Sequence, residues 1–249
     1  MVELYEMRSR LRHYFAFSRK EVWELLAVAA ILGFVFSFRD WGSGGQVDAA
    51  VGVWHLLLAV VIAAAGLFVH ESAHRVLALY QGLKVEFKIW WGGLVTGLIL
   101  AFASNGWIQV ALPGGMVTSL LVRTRVGEFR YGLKEFEHGV IAIAGPLANL
   151  ALAFAAKLLL SAMPDSWFLQ KMLFFNVVLA VCTMLPIPPL DGITTFWGGR
   201  VLYALSFFGI LGAAVFLYFT SIALAVIGGI IVMILATLVY YFVVEARPE

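Results

Sequence analysis

The chain has 249 residues, of which 62% are apolar and only 13% charged, with a formal net charge of +2. Soluble domains carry about 25% charged and 45–50% apolar residues, and they must present a polar surface, so this composition argues against an ordinary water-soluble protein. No basic run is interleaved with exposed aromatics, which leaves nucleic-acid binding without support. The single cysteine, Cys182, cannot form an intrachain disulfide.

The first 22 residues are charged and contain no long apolar stretch. They do not read as a cleavable signal peptide, so the first apolar segment is expected to stay as a membrane helix. A bilayer core requires about 20 apolar residues in a helix. Six segments qualify or come close: 22–38, 51–80, 138–162, 167–190, 200–219 and 221–244. The first is short, but Arg19, Lys20 and Arg39 flank it and can snorkel. The second exceeds a span, so its last turns should project or tilt. Trp41-Gly-Ser-Gly-Gly reads as a loop, Met163-Pro-Asp-Ser166 as a tight turn, and Trp197-Gly-Gly-Arg200 as a break. Only Phe219-Thr220-Ser221 divides the last two spans.

Residues 84–117 do not read as a simple span. Lys84 to Trp91 partly alternates polar and apolar residues, as a strand does. After Gly92-Gly93, the apolar stretch Leu94–Ala103 is too short to cross and suggests a re-entrant or interfacial element. Gly106 to Val117 reads as a second short strand ending in a turn. Non-helical backbone at membrane depth is tolerated only where protein covers it or where it lines a wet cavity. The expected fold is an all-α membrane protein, one domain over 1–249, with about six transmembrane helices and a short re-entrant, β-like segment near 84–117. Basic residues cluster in the N-terminal arm (Arg8, Arg10, Arg12, Arg19, Lys20) and between the second and third spans (Lys84, Lys88, Arg123, Arg125, Arg130, Lys134). The positive-inside rule then puts both termini in the cytosol, in agreement with Arg247.

His70-Glu71-Ser72-Ala73-His74 is an HExxH motif inside an apolar helix. Residues four apart share a helix face, so both imidazoles can meet one metal ion, with Glu71 one step round. Ionisable residues inside spans are costly and mostly functional. A catalytic zinc takes a third protein ligand and keeps one position open. His13 lies in the charged arm, His55 at the far end of the same helix and His138 beside a charged loop. Of the acidic residues, only Glu71 and Asp191 stand in strongly apolar surroundings away from the termini, and Asp191 follows Leu185-Pro-Ile-Pro-Pro-Leu190, where prolines break a helix. Counted from the opposite ends of their spans, His70 comes after about 18 residues and Asp191 after about 24, which puts both at a similar depth. Asn149 and Asn176 are the other polar residues singled out within spans, with interhelical packing the expected role of Asn176.

HESAH at 70–74, GG at 92–93, PGG at 113–115, GPLAN at 145–149 and LPIPPLDG at 185–192 occur in an order and spacing that resemble the site-2 protease family of intramembrane metalloproteases, peptidase family M50, over residues 51–200. The resemblance implies one Zn2+ ion on His70, His74 and Asp191, with Glu71 as the catalytic carboxylate. It adds Asn149, Gly92 and Gly93 as support for the site or the substrate. It also implies a transmembrane protein or peptide as substrate, cleaved in or beside the bilayer of a prokaryotic cell. The chain resembles the short core type, without an inserted PDZ-like domain or an appended CBS pair. Where the family often has asparagine, three residues before the first proline of the aspartate motif, this chain has Thr183; a hydroxyl supplies one hydrogen bond but not the two-sided amide. On this reading Glu71 takes a proton from water and passes it to the leaving amine, and the strand near 84–92 holds an extended peptide by strand addition. A metal carrier is disfavoured because it should show several sites along a pathway. A non-proteolytic membrane hydrolase is separated from this reading only by the resemblance.

Overall fold

The computed structural model describes residues 4–42, 47–121 and 134–245. Arg123, Arg125, Arg130 and Arg247, which contribute to the expected orientation, lie outside the described residues, as do Ser43, Gly44 and Gly45 of the expected loop. A short α1 (Leu4–Tyr14) precedes α2 (Arg19–Ser37) and the long α3 (Ala49–Tyr80). Next come β1 (Leu83–Ile89), α4 (Trp91–Ala103) and β2 (Gly114–Leu120). The chain continues through α5 (Glu135–Leu160), α6 (Trp167–Thr183), α7 (Asp191–Gly198), α8 (Arg200–Phe219) and α9 (Ile222–Tyr240). Helix starts follow the expected chemistry. Ser18 and Glu21 form a capping box at α2, Asp48 accepts from Ala50 and Val51 at α3, and Ser166 accepts from Leu169 at α6.

Among the described residues, four helices are long and apolar enough to cross a membrane: α3, α5, α8 and α9 with its extension to Val244. Two of the six expected spans fall short by that measure. The helix over the first, α2, opens with Arg19, Lys20, Glu21 and Glu24. The helix within 167–190, α6, has 17 residues and stops at Thr183 rather than 190. Pro186, Pro188 and Pro189 lack amide protons and cannot continue it.

The helices pack antiparallel in pairs. Along α2 and α3, Glu21 meets Arg75 while Gly33 packs on Val60. Along α3 and α5, His74 meets Ile141 while Gly66 meets Asn149. In α8 and α9, Gly212 packs on Val232 and Gly228 on Phe216, as small residues let apolar helices approach. The main core lies between α2, α3, α4 and α6, around Leu32, Phe36, Leu67, Leu94 and Phe175.

The expected strand at 84–91 is present as β1 over 83–89, and Trp91 already belongs to α4. The second strand is displaced: β2 begins at Gly114, where a turn is expected, and residues 107–112 form no ladder. Those residues return over α4 instead, with the carbonyl of Leu112 against Gly93 and that of Val110 near Gly97. The apolar stretch 94–103 is helical, within α4. β1 and β2 pair antiparallel, from Leu83 opposite Leu120 to Ile89 opposite Gly114.

The outer edge of β1 is sealed by side chains, so it cannot receive an added strand there. Val85 O accepts from Arg75 Nη1 at 2.9 Å, Phe87 N donates to Glu21 at 2.9 Å, and Ile89 N donates to Glu24 at 3.4 Å. Arg75 is fully buried, pairs with Glu21 and stacks on Phe17, 3.9 Å from the ring centroid. Burial opposes the charge on Glu21, at the head of α2. The amides of Ser18 and Phe87 and the Arg75 guanidinium outweigh it and hold the carboxyl below its ordinary range. Its stabilising contribution is therefore full above the ordinary carboxylate pKa and is lost as pH falls through the lowered value. Arg75→Leu should cost about 3–5 kcal/mol, because it removes the only cation paired with the buried Glu21 carboxylate among the described residues. The check is a thermal unfolding midpoint in detergent, and Glu21→Gln combined with Arg75→Leu should recover part of the loss.

Candidate metal centre

The HExxH turn of α3 carries its charges on the buried face: His70, Glu71, His74 and the following Arg75 are each at most 3% exposed. Asp191, the first residue of α7, reaches the same point from the other side of the fold and is also buried. Asp191 Oδ2 lies 3.0 Å from His70 Nε2 and 3.5 Å from His74 Nε2, and the two nitrogens are 3.1 Å apart. Ligands on a tetrahedral ion at 2.0–2.1 Å stand about 3.3 Å from one another. The three donor atoms are therefore already spaced as one small cation requires, and the group could hold a metal ion.

Two further observations fit that use. Glu71 Oε2 is buried with no hydrogen-bond partner among the described residues, as expected of a carboxylate reserved for a water or a substrate proton. In front of the imidazoles, α5 presents Gly145. A Cβ there would lie 2.4 Å from His74 Nε2 and 2.6 Å from His70 Nε2, so the space before the donor atoms exists only because this residue has no side chain.

The imidazoles are oriented by their other nitrogens. His74 Nδ1 donates to the Ile141 carbonyl at 2.8 Å. A carbonyl can only accept, so Nε2 keeps its lone pair for an ion. Pro146 has no amide proton for Ala142, which opens the α5 ladder beside this carbonyl. His70 Nδ1 meets Asn149 Oδ1 at 2.6 Å. The loop that delivers Asp191 bends tightly and braces on the sheet: Gly192 packs on the Met184 carbonyl, and Gly115 of β2 on that of Pro189. The PGG of 113–115 thus abuts the loop carrying Asp191.

The structure brings His70, Glu71, His74, Asp191 and Asn149 together. It does not place Gly92 and Gly93 with them. Both sit at the start of α4, packed on Trp90, and Gly93 also lies under the Leu112 carbonyl. Thr183 is buried, but its hydroxyl donates to Leu179 O of its own helix at 2.9 Å, so that proton is not turned toward the site. Asn176 packs between helices as expected, and it also donates to Met172 O and accepts from Asn149. Sequence reasoning missed Arg75 and Glu21. The signal for Arg75 was available, because an arginine within the 51–80 span warrants the same scrutiny as the histidines. Glu21 stands among exposed charges in sequence, and nothing local marks it as buried.

Among the described residues, four apolar helices of membrane length and one buried His-His-Asp group beside an unpartnered glutamate oxygen suggest a membrane protein with a site that could hold a metal ion. The chain is 27% identical over 209 residues to a Methanocaldococcus jannaschii protein named "Putative zinc metalloprotease MJ0611", a match covering 82% of this chain and 98% of that protein. No family profile matches the chain, and no solved structure matches it significantly.

Proposed function

We propose that this chain is an intramembrane zinc endopeptidase of the site-2 protease type. The observation that carries the proposal is the meeting of three buried donor atoms, spaced for one small cation, with a buried glutamate oxygen, Glu71 Oε2, that lacks a partner among the described residues. The relative's name supports zinc as the ion and peptides as the substrate class. His70, His74 and Asp191 would hold the zinc. Bound there, the ion would supply Lewis acidity for activating water and polarising a carbonyl. Glu71 takes a proton from the attacking water and delivers it to the departing amine as the C–N bond breaks, leaving a carboxylic acid and an amine. Among the described residues there is one such donor group, whereas a metal carrier needs several in succession.

In this reading α2 and α6 add two crossings to the four apolar helices, both termini face the cytosol, and the substrate is a transmembrane protein or peptide within the lipid bilayer of a prokaryotic cell. A helical substrate hides its carbonyls in hydrogen bonds, so it must unwind before cleavage. With the β1 edge sealed, the extended peptide is received on β2. There the register turns the backbone groups of Met116 and Thr118 away from β1. The test incubates purified protein with single-span substrates, with and without a zinc chelator, and sequences the products. Chelator-sensitive cleavage within or beside the apolar segment is the expected result; cleavage that persists after the zinc is stripped would overturn the proposal.

A further inference from the structure

Behind His70, three helices are joined by a chain of side-chain amides closed to water. Asn149 on α5 and Asn176 on α6 are both fully buried. Asn149 Nδ2 donates to the Gly66 carbonyl of α3 at 3.0 Å and to Asn176 Oδ1 at 2.8 Å. Asn176 Nδ2 donates to the Met172 carbonyl of its own helix at 2.9 Å. The polarity of this chain is dictated by its backbone ends. The carbonyl of Met172 can only accept, so the amide nitrogen of Asn176 faces it and the oxygen faces Asn149. Gly66 O and Asn176 Oδ1 both only accept, so they take both amide protons of Asn149. Asn149 Oδ1 is thereby turned to His70 Nδ1, 2.6 Å away, and an oxygen in that place requires the ring proton on Nδ1.

A neutral imidazole carries one proton on two nitrogens, and only the nitrogen without it can bind a metal. We infer that Asn176 is a positioning residue of the metal site: through Asn149 it fixes the proton of His70 on Nδ1 and so offers Nε2 to the ion. If Asn176 is replaced by an apolar residue, one amide proton of Asn149 loses its acceptor, and only Gly66 O still opposes rotation of that amide. A rotated Asn149 turns an N–H toward His70 Nδ1 and favours the tautomer with Nε2 protonated, which cannot ligate. The inference rests on the metal-site reading above and extends it from the donor atoms to the α6 helix behind them.

The test titrates Co2+ into chelator-stripped, full-length protein in detergent and records affinity and the visible spectrum. Wild type should bind one Co2+, and His70→Ala should lose it; if wild type binds none, the metal-site reading itself fails, independently of the relay. Asn176→Leu should weaken binding about 10-fold, and Asn149→Leu about 10- to 100-fold, with the spectrum of the filled site unchanged. The double variant should bind no more weakly than Asn149→Leu alone, because Asn176 acts through Asn149. Asn176→Asp, held neutral by its burial so that its hydroxyl donates to Met172 O and its carbonyl oxygen faces Asn149, should stay within about 3-fold of wild type. Asn176→Leu that lowers thermal stability yet leaves Co2+ affinity unchanged would overturn the proposal and reduce Asn176 to a packing residue. A measurement on unaltered protein covers variants that fail to fold: 15N resonances of the metal-loaded histidines should show His70 protonated at Nδ1, and protonation at Nε2 would overturn the relay.

Discussion

Glu71→Gln should retain its metal and lose peptide hydrolysis by about 10^2- to 10^4-fold, the range that a positioned general base contributes. The substitution keeps the size and shape of a side chain that is 3% exposed, so packing is preserved. The ligand atoms belong to His70, His74 and Asp191, and Glu71 is not among them. An amide cannot accept the proton that a carboxylate takes from water. Metal content per chain, measured by elemental analysis, should equal wild type, while product from a single-span substrate falls to near background. Turnover close to wild type would remove Glu71 from the chemistry.

Gly145→Ala should weaken metal binding by about 100-fold or more, and the direction is the informative part. In a helix interior, alanine is favoured over glycine by roughly 1 kcal/mol, so on backbone grounds the change should stabilise α5. The new methyl, however, would lie 2.4 Å from His74 Nε2 and 2.6 Å from His70 Nε2. Both imidazoles would have to leave the positions in which their nitrogens converge with Asp191, because a packed interior yields little. Equilibrium zinc titration beside a thermal melt of the stripped protein separates the two effects. A folded variant with wild-type zinc affinity would show that the space before the histidines is dispensable. Gly97→Ala provides a control, since its methyl meets nothing closer than 3.4 Å.

Much of the site is legible in the sequence because helical spacing is rigid. Four residues of α3 make just over one turn, so HESAH sets two imidazoles side by side whatever the rest of the chain does. Asp191 is legible by elimination, as a carboxylate with no other reason to stand among prolines and leucines. The bulk of the helices follow from apolar length. What is not legible depends on partners far away in sequence. Ladder pairing at 114–120 is decided by where residues 107–112 rest on α4. The burial of Glu21 is decided by Arg75 and the Phe87 amide, 54 and 66 residues away. Thr183 looks available as a donor until its hydroxyl is seen to return to Leu179. Length alone also leaves α2 and α6 at the margin of crossing, because charge at one end and proline at the other shorten their apolar runs.

The amides behind His70 have an electrical consequence. Asn149 and Asn176 orient the ring without adding charge, and the Arg75 cation is committed to Glu21. Among the described residues, the negative charge that could face a bound cation beside the ring comes from two carboxyl groups, Glu71 and Asp191. A cation of charge two is the most that this pair could balance in a low-dielectric interior, where uncompensated charge is costly.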